Sequence, residues 1–140
     1  MHTYVQMRMH HTRVEKCGQR GVLAKYCLHF HKMSNASESS FVGNAVEYSH
    51  QRGVIIHGTH LTTTAHNVFH NVRGANIYLE DGNELDNHID YNVAVCGAPH
   101  NDDDVGGCTL PGTPNGQADT ALNLAGIWAL GFGNHITVSE

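Results

Sequence analysis

Apolar and polar residues alternate at period two in three short segments: Leu28-His29-Phe30-His31, Val54-Ile55-Ile56-His57 and Ile77-Tyr78-Leu79-Glu80. Such alternation marks a strand with one buried face. Each segment closes on a group able to hold a metal or move a proton. Successive closing residues lie 26 and 23 residues apart. A stretch returning every couple of dozen residues is the signature of a solenoid, in which each coil stacks on the last. An Asn precedes an apolar residue at a similar interval, in Asn44-Ala45-Val46, Asn67-Val68-Phe69 and Asn92-Val93-Ala94. Asn tolerates left-handed backbone and pairs with nearby polar groups, so a stacked Asn at each corner is expected. Gly53 and Gly74 suggest a second corner at similar phase.

The same pattern predicts further strands. Tyr4–Met9 reads as one, Val14–Gln19 as a short strand or corner, and Gly126–Leu130 and His135–Val138 as two more. Residues 33–40 read as a loop, and the Asn35-Ala36-Ser37 triplet within it is an N-glycosylation acceptor in a secreted protein. Residues 96–120 are rich in Gly, Pro, Asn and Asp and read as a long loop leaving the solenoid. The expectation is an all-β chain: one parallel β-helix segment over 1–140, with bare ends that belong to a longer solenoid and stack on its remainder.

Composition supports this and narrows the function. Fifteen Gly and only 15% charged residues leave little material for amphipathic helices. The net charge of −5, without a basic patch, argues against nucleic acid as a partner. Thirteen His make the charge balance pH-sensitive, so attraction to an anionic polymer should strengthen on acidification. Four cysteines occur with no CxxC motif, which removes a zinc ribbon or thioredoxin-type centre. Cys96 and Cys108 flank the long loop and could close it, while Cys17 and Cys27 are equally readable as core thiols. The longest apolar stretch, Ala121–Phe132, is too short to span a bilayer, and no basic-then-apolar leader follows Met1.

Stacking the strands places chemistry on the outer face. Leu28, Phe30, Val54, Ile56, Ile77 and Leu79 should fill the interior, with His29, His31, Ile55, His57, Tyr78 and Glu80 pointing outward. Neighbouring strands lie ~4.8 Å apart, so aligned side chains converge. His31, His57 and Glu80 then make a divalent-metal site for zinc or calcium, with His60 or Asp81 completing the shell. Alternatively, His57 and Glu80 form a general acid/base pair. His29, His60, Tyr78 and Asp81 would line a groove around them and contact substrate. Asn101-Asp102-Asp103-Asp104 has oxygens for calcium, although an acidic loop is more often simply solvated. Trp128 reads as core. Outward polar residues can equally form a hydrogen-bonded stack that only fixes register. A jelly-roll metal enzyme with His29 and His31 as an H-x-H pair is disfavoured by the repeated Asn corners.

Several of these segments resemble a known family. Gly18-Gln19-Arg20-Gly21 with Lys25-Tyr26-Cys27-Leu28-His29-Phe30-His31, then Ile56-His57-Gly58-Thr59-His60, Leu79-Glu80-Asp81-Gly82 and Ile127-Trp128, are similar to ordered motifs of one β-helix. It is the right-handed parallel β-helix region that follows the G8 domain in the cell migration-inducing hyaluronan-binding protein, the transmembrane hyaluronidase-like protein and the fibrocystins. Cys27 stands where the family segment has Pro. The resemblance implies an extracellular or cell-surface module that binds or depolymerises a hyaluronan-like polysaccharide, as a hydrolase or lyase where it cleaves, with calcium reported for some relatives. It also implies an alternative, a non-catalytic receptor segment of fibrocystin type.

Overall fold

The computed structural model describes residues 5–95, 126–129 and 137–139. Among them there is no helix. The readings for 96–120, including Asn101–Asp104 and the Cys96–Cys108 pair, lie outside the described residues, as do Tyr4, Leu130, His135 and the side chain of Trp128.

The chain winds through three strands per coil. The first coil holds β1 (Arg8–His10), β2 (Arg13–Glu15) and β3 (Leu28–Asn35); the second holds β4 (Ser40–Val42), β5 (Ala45–Glu47) and β6 (Val54–His60). β7 (Thr63–Ala65), β8 (Val68–His70) and β9 (Ile77–Leu79) form the third; β10 (His88–Asp90), β11 (Val93–Val95) and β12 (Ile127–Ala129) form the fourth, and β13 (Thr137–Ser139) begins a fifth. Every pairing is parallel and joins equivalent strands of successive coils, giving sheets ordered β1-β4-β7-β10-β13, β2-β5-β8-β11 and β3-β6-β9-β12. This is a parallel β-helix. Its register places Leu28 on Val54 on Ile77, and His31 on His57, the alignment that the period-two pattern predicts.

The interior is a column of inward side chains. Phe30, Phe41, Val46, Val54, Ile56, Phe69, Ile77, Leu79 and Ile89 are buried in one cluster, and the Phe30 and Phe41 rings stack at 4.2 Å. Six of the nine come from strands of only three residues, β4, β5, β8, β9 and β10, each with too few inward positions to establish a period. That is why the sequence reads the third sheet best: β3 and β6 run to eight and seven residues.

The corners refine the expectation about Asn. Left-handed backbone is carried by the residue before each Asn, at Gly43 (φ 69°), His66 (φ 55°) and Tyr91 (φ 51°), with His11 (φ 52°) before Thr12 in the first coil. The Asn side chains do the pairing instead. Asn44 Nδ2 donates to Asn67 Oδ1 at 3.0 Å, and Asn67 Nδ2 to Asn92 Oδ1 at 2.9 Å. The same oxygens accept the backbone N–H of Asn44 and Asn67. Gly53 and Gly74 do not share a phase: Gly53 lies level with Asn76, where a Cβ would stand 2.4 Å from the Asn76 carbonyl oxygen, and only Gly74 has positive φ (72°).

Candidate functional site

The third sheet carries the chemistry, and its backbone breaks where the chemistry begins. β3 and β6 pair in register through His31 and His57, then shift before Ser34 and Thr59. Lys32 (φ 50°), Ser34 (φ 57°) and Gly58 (φ 51°) take left-handed backbone there. A bulge of this kind bends a strand and re-aims its side chains. Thr59, fully buried, staples it: its hydroxyl accepts the Met33 N–H at 3.1 Å and shares its proton between the carbonyls of His57 (2.9 Å) and Phe30 (3.3 Å).

Three imidazoles meet beside the bulge. His31 Nδ1 lies 3.3 Å from His29 Nε2, the His31 and His57 rings meet edge-on with centroids 4.8 Å apart, and His29 and His57 lie nearly parallel at 6.2 Å. One ring nitrogen from each falls within 4.8 Å of the other two. On the side of the next coil, His57 faces two carboxylates: Nδ1 is 3.4 Å from Glu80 Oε2, and Nε2 is 3.0 Å from Asp81 Oδ2. Glu80 Oε2 is buried and takes no hydrogen bond from the described residues, whereas Asp81 is the more open of the two acids. Burial, and then the charges of His31 and His57, push the His29 imidazole down to about 4, partly opposed by its hydrogen bond with the Ala24 backbone.

Not every outward position reaches solvent. Ile55 and Tyr78 are buried, because Tyr26 and Ala75 from the connecting segments close over them in a second apolar cluster. The expectation that Tyr78 contacts substrate therefore meets a side chain 7% exposed, under the Arg52 guanidinium. His60 does not join the imidazole group; its Nδ1 accepts the Leu85 N–H at 2.9 Å. Glu80 is likewise outside that group, so the metal-ligand set the geometry offers is His29, His31 and His57 rather than His31, His57 and Glu80. Three imidazoles suit zinc or copper(II); calcium takes oxygens.

Two residues that shape the site escape the sequence reading. Glu84, fully buried, accepts the backbone N–H of Gly58 (3.0 Å), Asp81 (3.1 Å) and Gly82 (2.8 Å), bracing at once the bulge beyond His57 and the turn that carries Asp81. Arg52, 1% exposed, lies between the Tyr26 and Tyr78 rings at 5.6 and 4.8 Å from their centroids. A weak signal for Arg52 exists in the sequence, a charge placed directly before a buried strand run; for Glu84 none does, since it lies on a turn.

The family model described as CEMIP beta-helix matches residues 1–128. The chain belongs to the CEMIP β-helix family. Relatives of this CEMIP β-helix include protein rliB of Dictyostelium discoideum, 43% identical over 84 residues, which are 59% of the chain and 7% of rliB. Human fibrocystin-L is 33% identical over 89 residues, 63% of the chain and 2% of that protein. A G8 domain-containing protein of Dictyostelium discoideum is 39% identical over 79 residues, 56% of the chain and 7% of its own length. The chain thus spans less than a tenth of these relatives. No solved structure matches it.

The arrangement on this CEMIP β-helix has defined chemical capacities. Polar side chains from three successive coils meet on one face: His29 and His31, then His57, then Glu80 and Asp81. A histidine flanked by carboxylates, one of them at 3.0 Å, has the parts of an acid/base group. Imidazole and carboxylate together also hydrogen-bond hydroxyl-rich ligands through both donors and acceptors.

Proposed function

We propose that this CEMIP β-helix is an extracellular polysaccharide-binding module whose contact surface is the strip formed by His29, His31, His57, Glu80 and Asp81, with a hyaluronan-like glycan as ligand. The observation that carries the reading is the meeting of these groups from three coils on one face, with His57 held between Glu80 and the more open Asp81. Such a strip follows the stacking axis, and an extended sugar chain laid along it meets a fresh polar group at each coil. Where a bond is cleaved, His57 would move the proton and Glu80 would orient it, a role supported by their 3.4 Å approach. The Cys17–Cys27 disulfide fits an oxidising, extracellular setting, and the resemblance to hyaluronan-handling relatives fits the ligand class.

A second reading, a non-catalytic receptor segment of fibrocystin type, is favoured by one feature: both His57 nitrogens already face carboxylates, and His60 is committed to the Leu85 backbone. Calorimetric titration of the whole chain with hyaluronan oligosaccharides and with a neutral oligosaccharide, at pH 7 and 5.5, separates the two. The proposal expects binding of the anionic glycan that strengthens at pH 5.5 and falls at least about tenfold in His57→Gln, as loss of a charge-assisted hydrogen bond would produce. Absence of binding to either glycan at both pH values sinks it and leaves the receptor reading. Size analysis of the recovered glycan reports cleavage separately.

A further inference from the structure

We propose that His29, His31 and His57 form a three-imidazole site for a divalent ion of the zinc class, with Glu80 and Asp81 as outer partners that orient His57. The inference stands on the imidazole geometry and does not depend on the polysaccharide reading.

The spacing carries the argument. Two nitrogens each bound at about 2.05 Å to a tetrahedral metal stand roughly 3.3 Å apart. His31 Nδ1 and His29 Nε2 are separated by 3.3 Å, so they already span one edge of such a tetrahedron. One ligand nitrogen from each of the three rings, His57 included, lies within 4.8 Å of the other two. Closing that gap to a tetrahedral edge takes side-chain rotation by exposed His31 and half-buried His57, with the strands unmoved, because His31 and His57 are paired in register beneath it.

The surroundings supply the outer partners that imidazole ligands use. A metal-bound His commonly donates its second N–H to a carboxylate or a backbone carbonyl, which holds the ring in one orientation. His57 has carboxylates opposite both nitrogens, so whichever nitrogen turns to the metal leaves the other facing an acid. His29 has its hydrogen bond to the Ala24 backbone. Glu84 clamps the Gly58 and Asp81 backbones and so fixes His57 and Asp81 relative to one another. The donor set also selects the ion: neutral imidazoles favour zinc, copper(II), nickel or cobalt over calcium or magnesium. Three protein ligands with one of them exposed leave a fourth position open to water or to an oxygen of a ligand, the arrangement of reactive rather than structural zinc sites.

The test is calorimetric titration of the metal-stripped whole chain with Zn²⁺, with Ca²⁺ as comparison and Co²⁺ as an optical probe. The expected result is one equivalent of Zn²⁺ bound and no Ca²⁺ displacing it, with visible Co²⁺ bands of tetrahedral type. His31→Ala should weaken Zn²⁺ binding at least about 100-fold, since even an outer partner is worth 10–100-fold, and should abolish the Co²⁺ bands. His31 is exposed, so the variant keeps the fold, as an unchanged far-ultraviolet spectrum checks. His70→Ala, on the second sheet, should leave Zn²⁺ binding as it was. Folded chain that binds no Zn²⁺ overturns the proposal, as does binding that persists undiminished in both His31→Ala and His29→Gln.

Discussion

Thr64 is a polar residue in an apolar column. It pairs in register with Phe41 below and Ile89 above, is fully buried, and its hydroxyl has no hydrogen-bond partner among the described residues. A buried hydroxyl without a partner costs about 1–3 kcal/mol. Thr64→Val keeps the β-branched shape and removes that cost, so chemical denaturation should show a gain of roughly 1 kcal/mol. A loss instead would mean that the hydroxyl is satisfied. His29 makes an opposite kind of prediction. Its folded-state value of about 4 lies below the ordinary 6.5, so the unfolded chain binds the proton more readily. Stability of the metal-free chain is therefore unaffected by His29 above about pH 6.5, falls as the pH drops toward 4, and levels off below that. His29→Gln should lose less melting temperature than the parent between pH 6.5 and 4; equal losses would remove His29 as the source.

Elements here are held by columns as much as by strands. Asn67 is 1% exposed and sits at the middle of the Asn44–Asn67–Asn92 column, giving its amide to Asn92 and to the Phe41 carbonyl while its oxygen serves Asn44. A parallel column before the first sheet runs through Thr62 and Asn87, where Asn87 Oδ1 accepts both the backbone N–H and the hydroxyl of Thr62. Asn67→Ala takes the acceptor from the Asn44 backbone N–H, while Asn44 Nδ2 keeps the Met9 carbonyl; one buried donor left unpaired should cost about 1–3 kcal/mol. Urea unfolding measures this, and a loss below 1 kcal/mol would mean that the column only follows the register set by the strands. The Asn44–Asn67–Asn92 column was legible because Asn recurs there at a similar interval; the Thr62–Asn87 column, which mixes residue types, was not. The left-handed residues before each Asn of the first column were not either: Gly43, His66 and Tyr91 share no chemistry, and what they share is a backbone position imposed by the corner.

At the scale of the whole molecule, stability is a sum of coils and of the contacts between neighbours. The first coil carries the long connection from β2 to β3, and the Cys17–Cys27 disulfide closes it across a separation of ten residues. Closing a loop of that length in the unfolded chain is worth about 2.7 kcal/mol in the chain-entropy account. Replacing both cysteines by Ser should cost about that much, with hydrogen exchange rising first in β2 and β3 and least in β8 and β9. Uniform exchange across all coils would argue that the coils unfold as one unit. The same connection carries Tyr26, which covers Ile55 and Tyr78 from outside and presses against His29 at 5.0 Å between ring centroids.

The sequence by itself determined the coil. Period-two alternation is local, so it named the inward residues of β3, β6 and β9, and the interval between copies set the register that puts His31 on His57. Only the tertiary structure decided which outward residues stay open. Burial of an outward side chain depends on what a distant connection lays over it, and no local pattern records that. Ile55 and Tyr78 are covered for this reason, while His31 remains exposed. The same holds for the partners of His57. The alignment of closing residues named Glu80 and offered Asp81 and His60 as equals; the turn braced by buried Glu84 brings Asp81 to 3.0 Å from His57 Nε2, while His60 goes to the Leu85 backbone.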